Sequence, residues 1–327
     1  MIVGITDYYR APFDIEAEAL GGDVEFIDFN SRNEDYFDED ALRQLDALLV
    51  YHARITDKTL AKLEKCKIIV RYGVGVDNMD LDALKQRGIP LCNTPDYGVQ
   101  EIAATAASHM LNLWRRISAY DRACRTYEEG WATNLQKPIL RMLEATLGVV
   151  GVGRMGAAFI KLMKPFGFRI LGFDPHQPPG HEANIGYERI ETLEALLAAS
   201  DAISLHCVLT PETAGLVDES FIAAMKPGAL LVNTARGGLF KDLDVVEQGL
   251  KSGQLGGLGT DVLPSEPPVD HPLISAWRED APWLQGRLVI TPHTAHYSEK
   301  ALYDMRYMAA ETAALFLNKN EFRNRIV

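Results

Sequence analysis

The sequence has 327 residues, of which 47% are hydrophobic and 24% are charged, and its 33 basic and 45 acidic residues give a net charge of −12. These proportions are typical of a globular protein with room for two cores, and the excess of acid argues against nucleic acid or an anionic membrane as a partner. Four cysteines without metal-ligand spacing predict free thiols. The absence of a signal-peptide or membrane-spanning run predicts a cytoplasmic protein.

The first ninety or so residues alternate short apolar strands with helical segments. The strands are predicted at 2–5, 24–29, 47–51, 68–72 and 89–93, and the helices at 15–20, 40–45, 56–65 and 81–86. Parallel strands joined by helices form an open sheet, whose ligands bind beyond the carboxyl ends of the strands. The polar groups there are Tyr51, His52, Arg71 and the turn at 73–75.

A glycine-rich turn lies near the middle of the chain. The apolar run 145–150 leads into GVGRMG at 151–156, and apolar residues at helical spacing follow. Gly151 allows a tight turn, Gly153 lets backbone approach a pyrophosphate, and Gly156 lets the helix pack on the strand. The next strand ends at Asp174, where an acid bonds the ribose 2′-hydroxyl of NAD and repels the 2′-phosphate of NADP. The sequence therefore predicts NAD as the cofactor.

The rest of the chain continues the alternation of strands and helices. Strands are predicted at 146–151, 168–174, 202–207, 229–235, 257–262 and 288–291, and helices at 99–117, 153–166, 193–199, 219–225, 243–251 and 298–318. Residues 120–141 have no clear period and are either an arm over a neighbouring subunit or a solvated loop. Residues 264–285 are predicted to be a long Pro-rich loop, whose Trp277 and Trp283 could reach the substrate.

This pattern predicts an α/β protein with two Rossmann-like or flavodoxin-like open parallel-sheet domains and a cleft between them. The last helix supplies no strand, so we expect it to return to the first domain. Residues 1–97 plus 297–327 would then form a discontinuous substrate-binding domain, and residues 98–296 an NAD-binding Rossmann domain.

Polar groups follow three strands of the second domain. Arg236 follows an apolar strand, Asp261 ends the next strand with Glu266 five residues later, and the last strand leads to His293. Because carboxyl ends of parallel strands share one edge of the sheet, we expect these groups to meet at the cofactor's nicotinamide.

The chemistry of these groups suits reduction of a 2-oxo acid. His293 could supply the proton, Glu266 could fix its tautomer and keep it charged near neutral pH, and Arg236 has the planar fork that suits a carboxylate. Asp261 could accept a hydrogen bond from the nicotinamide carboxamide. Read singly, each residue could instead be a surface ion pair or a satisfied structural group.

The other histidines carry weaker signals. His109 is expected to be structural, and His176, His181 and His271 to lie in solvated loops. His206 ends a strand and is either a cofactor contact or structural, while His296 could face the substrate. None forms a cluster with metal-ligand spacing, so no metal is predicted.

The motifs together resemble the D-isomer-specific 2-hydroxyacid dehydrogenase family over nearly the whole chain. They are VRYGVGVDN at 70–78, GVGRMG at 151–156, NTARGG at 233–238, Asp261 with Glu266, and PHTA at 292–295. Within that family CNTP at 92–95, HMLNLWRR at 109–116 and PHTAHYSE at 292–299 resemble the C-terminal-binding proteins most.

The resemblance implies a set of site residues and an assembly. It implies a catalytic trio of Arg236, Glu266 and His293, and a homodimer built on the cofactor domain. The implied substrate contacts are Tyr51, Arg71 and the N–H groups of Val74 and Gly75. The implied cofactor contacts beyond the glycines are Arg154, Met155, Asp174, Cys207, Thr234, Ala235 and Asp261.

Two hypotheses follow. In the first, the protein is an NAD-dependent D-2-hydroxyacid dehydrogenase that transfers hydride between nicotinamide and C2 of a small 2-oxo or 2-hydroxy acid; the D stereochemistry comes from the resemblance alone. In the second, it is an NAD(H)-sensing scaffold for protein partners with little turnover. The intact trio favours the enzyme.

Overall fold

The computed structural model describes residues 1–7, 11–126, 131 and 139–327. The chain folds into two compact units. The first unit is Met1–Gly98 with Tyr297–Val327, and the second is Val99–His296. Each unit is built on its own parallel sheet, as predicted. Across the described residues, none of the helices combines the length and apolarity that crossing a membrane requires.

The first unit alternates strands and helices. Its strands are β1 (Ile2–Ile5), β2 (Glu25–Asp28), β3 (Ala47–Val50), β4 (Ile68–Arg71) and β5 (Leu91–Cys92). Its helices are α1 (Asp14–Leu20), α2 (Glu39–Gln44), α3 (Asp57–Leu60), α4 (Leu81–Arg87) and the C-terminal helix (Glu299–Lys319), with a 3₁₀ turn at Glu34–Tyr36. The sheet order is β2-β1-β3-β4-β5, and all four residues of central β3 are buried, as expected under helices on both faces.

The predicted helix at 56–65 is wrong beyond residue 60. The Thr56 hydroxyl accepts a hydrogen bond from Lys58 N–H and starts the helix, as predicted. After one turn the backbone hydrogen bonds span three residues instead of four; for example, Lys62 N–H donates to the Thr59 carbonyl at 3.0 Å. The α-helix therefore ends there, and the chain continues toward β4.

The C-terminal helix belongs to the first unit. Its N-cap Ser298 accepts a hydrogen bond from Ala301 N–H at 3.0 Å, so the helix starts where the sequence predicts it. Ala309, Ala310 and Ala313 are fully buried and pack in one core with strand residues such as Val70. Their small side chains let the helix approach the sheet closely.

A buried ion pair ties the C-terminal helix to α1. Glu16 is fully buried, and its two carboxylate oxygens accept bonds from Arg306 Nε and Nη2 at 2.7 and 2.6 Å. Tyr72, also fully buried, donates its hydroxyl to the same carboxylate at 3.1 Å. The pair therefore joins both ends of the chain to the residue that follows β4.

We expect Arg306→Met to destabilise the first unit by about 3–5 kcal/mol, because it leaves the Glu16 carboxylate buried without its cation. Adding Glu16→Gln should recover part of this loss. The measurement is urea unfolding followed by circular dichroism. Arg323→Met is the control: Arg323 pairs with Glu311 at the surface, so its loss should stay below about 1 kcal/mol. Equal losses in the two single variants would contradict the prediction.

The second unit has a larger sheet. Its strands are β6 (Thr146–Val150), β7 (Arg169–Phe173), β8 (Glu188–Arg189), β9 (Ala202–Leu205), β10 (Ala229–Asn233), β11 (Leu255–Thr260) and β12 (Leu288–Ile290). Its helices are α5 (Val99–Arg115), α6 (Ile117–Thr126), α7 (Arg154–Met163), α8 (His181–Ile185), α9 (Leu193–Ala199), α10 (Glu219–Ala224), α11 (Leu243–Ser252) and α12 (Pro272–Arg278). Short 3₁₀ turns occur at Met142–Glu144, Lys164–Phe166 and Gly237–Leu239.

The order of this sheet is β12-β11-β10-β9-β6-β7-β8, with every pairing parallel. The chain runs outward from β6 through β7 and β8, then returns to β9 on the other side of β6. This reversal is the topological switch point, beyond which open α/β sheets bind their ligands. The glycine-rich turn directly follows β6.

Three predicted segments of the second unit need correction. The helix predicted at 99–117 breaks at Arg116, whose φ of 54° is left-handed, and α6 follows it. Residues 120–126 therefore continue a helix, and most of the remaining segment up to 141 lies outside the described residues. The predicted loop at 264–285 contains α12, with His271 as its N-cap and Pro272 at its first turn.

Candidate active site

The glycine-rich turn has the geometry predicted for a phosphate cradle. Gly151 has a φ of +85°, and a Cβ there would lie 2.5 Å from the Cys207 nitrogen. A Cβ on Gly156 would overlap the carbonyl oxygen of Gly151. At Gly153, by contrast, a Cβ would meet nothing within 4 Å, so this position borders open space. Only glycine fits the first and last positions, and the middle one leaves room for a ligand.

Helix α7 starts at this turn and offers its N-terminal N–H groups. Gly153 is its N-cap and provides no side-chain bond, and Arg154 and Met155 are its first residues. A helix start of this kind favours an anion such as a pyrophosphate. Asp174 follows β7, and its carboxylate accepts bonds from Val152 N–H at 2.8 Å and His176 N–H at 3.0 Å. The predicted ribose-binding acid thus lies against the glycine-rich turn.

The ends of β9 and β10 contribute three further predicted cofactor residues. Cys207 follows β9 and lies against Gly151. Thr234 and Ala235 follow β10, and the buried Thr234 hydroxyl has no hydrogen-bond partner within the described residues. Since buried polar groups are almost always hydrogen-bonded, this hydroxyl fits contact with a polar ligand. The open glycine turn and this hydroxyl together fit NAD.

Asn233 at the end of β10 shapes the turn that carries Arg236. Its buried side chain accepts a bond from Ala235 N–H and donates one to the Arg236 carbonyl, both at 2.9 Å. Asn233 is not among the residues predicted for the site. A polar residue at the end of an apolar strand is the signal that could have identified it.

His293 and Glu266 form a close pair. Nδ1 of His293 lies 2.6 Å from Oε2 of Glu266, and the other carboxylate oxygen accepts Leu263 N–H at 2.9 Å. Burial by itself raises the pKa of Glu266, but the His293 hydrogen bond and charge, with smaller effects of Leu263 and Arg236, bring that pKa below its ordinary value. The carboxylate therefore stays ionised beside the imidazole.

Asp261 holds the loop on which His293 lies. Its buried carboxylate accepts bonds from the Thr291 hydroxyl at 2.5 Å, Thr294 N–H at 3.0 Å and Ala295 N–H at 2.8 Å. His293 itself has a φ of 55°, a left-handed backbone that is uncommon outside glycine. Such conformations persist only where the surroundings enforce them, and three bonds to one carboxylate do so here.

His109 supports this loop from α5. Its Nε2 lies 3.1 Å from the Thr291 hydroxyl, and burial lowers its pKa, partly offset by the charge of Asp261. Because the Thr291 hydroxyl gives its own proton to Asp261, His109 Nε2 donates to that hydroxyl, in agreement with the expected structural role. Whether Asp261 also contacts the cofactor stays a prediction.

The structure brings Arg236 and His296 to the same region. Nη1 of Arg236 donates to the Ala235 carbonyl at 2.8 Å, and its charge acts on Glu266. The His296 ring lies edge-on to the His293 ring, with centroids 6.2 Å apart. The second unit therefore assembles guanidinium, carboxylate and imidazole groups from three strand ends.

The predicted substrate residues of the first unit also lie at strand ends. The Arg71 guanidinium is 5.8 Å from the centroid of the Tyr51 ring, a distance typical of cation–π contact. Val74 and Gly75 are half-buried, and Asn93 Nδ2 donates to the Val74 carbonyl at 2.7 Å.

Two polar residues hold the turn after Tyr51. The buried Asp7 carboxylate accepts the N–H groups of His52 and Ala53 at 3.0 Å, and Asn78 Nδ2 donates to the carbonyls of Tyr51 and Ala53 at 3.2 and 2.8 Å. Neither was predicted as a functional residue, because these bonds join side chains to backbone 25 to 46 residues away, which local sequence patterns do not indicate.

The structure contradicts two of the solvated-histidine expectations, at His181 and His271. His181 Nε2 lies 2.9 Å from the Val152 carbonyl. His271 accepts Leu273 N–H at Nδ1, so its Nε2 carries the proton that it shares with Asp244 at 3.1 Å. Only His176 is exposed, as expected.

Asp244 and His271, with Glu247, are also the one group of potential metal ligands found among the described residues. The His271 tautomer leaves no lone pair at Nε2 for a metal. Glu247 pairs with Lys251 at 2.6 Å. His271 is thus the N-cap of α12 and is hydrogen-bonded to Asp244, while Glu247 forms an ion pair within α11.

Trp277 and Trp283 pack against the main core of the second unit, and Lys251 Nζ lies 5.4 Å from the Trp283 ring centroid. Helix α12 makes part of the predicted loop a structured part of the unit. Both tryptophans are partly buried, and their contact with a substrate stays a prediction.

A parallel sheet with a glycine-rich turn at its switch point defines a dinucleotide-binding protein of the Rossmann class. Residues 107–295 match the NAD-binding domain of the D-isomer-specific 2-hydroxyacid dehydrogenases. The chain belongs to this family, and NAD is its cofactor.

Individual relatives agree with this assignment. Over 270 residues the chain is 36% identical to a D-3-phosphoglycerate dehydrogenase of Mycobacterium bovis, covering 81% of this chain but 48% of the relative. The chain thus spans about half the length of the curated relatives it matches. The TT0316 protein of Thermus thermophilus has a TM-score of 0.83 at 29% identity over 100% of both chains. A D-lactate dehydrogenase of Aquifex aeolicus, solved with NAD and lactic acid, has a TM-score of 0.81 at 25% identity over 97% of this chain and 95% of its own.

His206, beside the cofactor site, yields a prediction about stability. Its Nε2 lies 2.8 Å from the Ser204 hydroxyl, its ring packs on Phe159, and burial lowers its pKa to about 3. An unfolded histidine titrates near about 6.5. Between these two pKa values, the unfolded chain binds a proton at His206 that the folded chain does not. The contribution of the neutral imidazole to the free energy of unfolding is therefore full above about pH 6.5 and decreases as the pH falls.

We expect His206→Gln to lose less stability than the parent between pH 7 and pH 5, by about 2 kcal/mol, because the titrating group is gone. Urea unfolding at the two pH values measures this difference. The exposed His176→Gln is the control and should behave as the parent does. An unchanged pH dependence in His206→Gln would show that the imidazole is not buried in its neutral form.

Proposed function

We propose that the chain is an NAD-dependent D-2-hydroxyacid dehydrogenase that interconverts a small 2-oxo acid and its 2-hydroxy acid. The single observation that carries the proposal is the 2.6 Å bond between His293 Nδ1 and Glu266 Oε2. Because Nδ1 donates to the carboxylate, Nε2 is the atom left to exchange a proton with a substrate oxygen. The Asp261-held loop fixes this orientation.

In the reducing direction the chain's residues handle the proton and the charges. NADH, when bound, supplies the hydride that adds to C2 of the 2-oxo acid. His293 gives its Nε2 proton to the carbonyl oxygen, and Glu266 stabilises the imidazolium before that transfer. Arg236 pairs with oxygens of the substrate through its fork of N–H donors. The products are the 2-hydroxy acid and NAD⁺, and His293 is reprotonated from water.

Substrate contacts in the first unit are part of the proposal. We assign the N–H groups of Val74 and Gly75 to the substrate carboxylate, with Arg71 and Tyr51 as further contacts, and we add His296 from the second unit. Support comes from the placement of the first four at strand ends, where open sheets bind ligands. The substrate is proposed as a class, since the relatives are named for different acids.

A panel assay tests the activity. NADH oxidation is followed at 340 nm with glyoxylate, hydroxypyruvate, pyruvate, phenylpyruvate and branched 2-oxo acids. Turnover of at least one acid, with the D-hydroxy acid as product, supports the proposal. Tight NADH binding without turnover of any acid would overturn it and favour the NAD(H)-sensing scaffold.

We expect His293→Ala and Arg236→Ala to lower kcat/KM by at least about 100-fold, because one removes the proton donor and the other the substrate's cation. NADH affinity, measured by fluorescence titration, should change by less than about threefold. The exposed His176→Ala serves as the matched control and should keep full activity. Loss of NADH binding in either site variant would contradict the assigned roles.

We also propose a homodimer built on the second unit, in the cytoplasm. Its surface exposes Ile117, Leu140, Leu143, Leu162 and Phe166. The segments that carry them adjoin, since Trp114 donates to the Leu140 carbonyl at 3.1 Å and Gly167 lies against Leu143. Exposed apolar patches of this kind favour a protein interface.

We expect Leu143→Glu to shift the protein toward monomer, since a charge at a closed apolar interface is costly. Sedimentation equilibrium measures the change. Tyr36→Glu, at a 77% exposed position of the first unit, is the control and should stay dimeric. A monomeric parent protein, or a dimer unaffected by Leu143→Glu, would count against this interface.

A further inference from the structure

One peptide of the glycine-rich turn is held from both sides. Val152 is fully buried; its N–H donates to Asp174 Oδ2 at 2.8 Å, and its carbonyl accepts from His181 Nε2 at 2.9 Å. Asp174 is one of the predicted cofactor residues, whereas His181 was expected to be solvated. The two bonds join the turn after β6 to the segment after β7.

His181 is fixed where it lies. It is the first residue of α8, its N–H donates to the Pro178 carbonyl at 3.2 Å, and its ring lies edge-on to Tyr187 with centroids 6.2 Å apart. Arg189 holds the preceding segment, with Nη2 donating to the same Pro178 carbonyl at 2.7 Å and Nε to Glu182 at 2.9 Å. The imidazole therefore stands on a structured segment that β8 anchors.

The bond to the Val152 carbonyl reaches the phosphate cradle through peptide geometry. The peptide that joins Val152 to Gly153 is planar and trans, so its C=O and its N–H point in opposite directions. Once His181 fixes the carbonyl, it also fixes where the Gly153 N–H points. Gly153 is the N-cap of α7 and borders open space, so this N–H belongs to the group that can meet a pyrophosphate.

We propose that His181 is a positioning residue for the cofactor: it preorganises the glycine-rich turn so that the N–H groups at the start of α7 are already aimed at the pyrophosphate. A carbonyl oxygen can only accept a hydrogen bond, so His181 Nε2 is the donor in this contact. Without this bond, glycine's freedom would allow the peptide to rotate, and binding would have to order it. The inference uses only the family's NAD binding and is independent of the proposed acid substrate.

The test compares three variants of the full chain. His181→Leu replaces the imidazole with an apolar side chain that cannot donate, His181→Gln places an amide N–H near the position of Nε2, and Tyr36→Leu changes an exposed residue of the first unit. Binding of NADH is measured by fluorescence titration, and binding of ADP-ribose by calorimetry. ADP-ribose keeps the pyrophosphate but has no nicotinamide. Thermal unfolding without ligand checks that each variant is folded.

We expect His181→Leu to weaken NADH and ADP-ribose to the same extent, about 5–10-fold, the size of one lost hydrogen bond. His181→Gln should return both affinities to within about twofold of the parent, and Tyr36→Leu should leave them unchanged. The melting temperature of the unliganded variants should stay within a few degrees of the parent.

Three results would overturn the inference. They are unchanged affinities in His181→Leu, a folded His181→Gln that binds as weakly as His181→Leu, and weakening of NADH but not ADP-ribose. A parent chain that binds neither ligand would overturn it together with the cofactor assignment. If the proposed dehydrogenase activity alone is absent, these titrations still test the role of His181, because they contain no acid substrate.

Discussion

The site depends on one buried negative charge, the carboxylate of Asp261. Three neutral donors from residues 291–295 surround it, and His109 supports the first of these donors from the neighbouring helix. A buried charge is tolerated only when its hydrogen bonds are satisfied. If the loop moved away, the carboxylate would lose these hydrogen bonds while still buried, which costs free energy. The left-handed backbone of His293 is held by this constraint. The imidazole of His293 thus contacts Glu266 because the hydrogen bonds to Asp261 hold the backbone of the loop in a single conformation.

Much of this could be predicted from the sequence, because parallel sheets follow strong rules. Apolar runs give the strands, their carboxyl ends share one edge, and polar residues such as Arg236 and His293 placed just after a run must gather there. The glycine-rich turn was equally predictable, since a Cβ at the first or last glycine would collide with neighbouring backbone atoms. In both cases the determining pattern is local in the chain.

What could not be predicted depends on bonds between distant segments. His181 is 29 residues along the chain from Val152, and Asn78 is 27 residues from Tyr51, so no pattern within a single helix or strand connects the partners. Helix α12 was hidden for a different reason. It is only seven residues long and follows several prolines, so the sequence pattern favours a turn over a helix. Packing of its apolar side chains against the core stabilises the helix, and the local sequence does not show this packing.

The carboxylates of Asp261 and Glu266 are chemically alike, but they differ in burial and therefore in their effect on the site. Asp261 is almost fully buried and accepts hydrogen bonds from one hydroxyl and two backbone N–H groups, so its main effect is on backbone geometry. Glu266 is about one-third exposed and lies 2.6 Å from the His293 imidazole, so its charge acts directly on the ring that the proposed reaction uses. Asp261 directly follows the buried end of β11, whereas Glu266 lies five residues later at a partly exposed position. In the proposed reaction, Asp261 therefore fixes the loop, and Glu266 acts on the imidazole that exchanges a proton with the substrate.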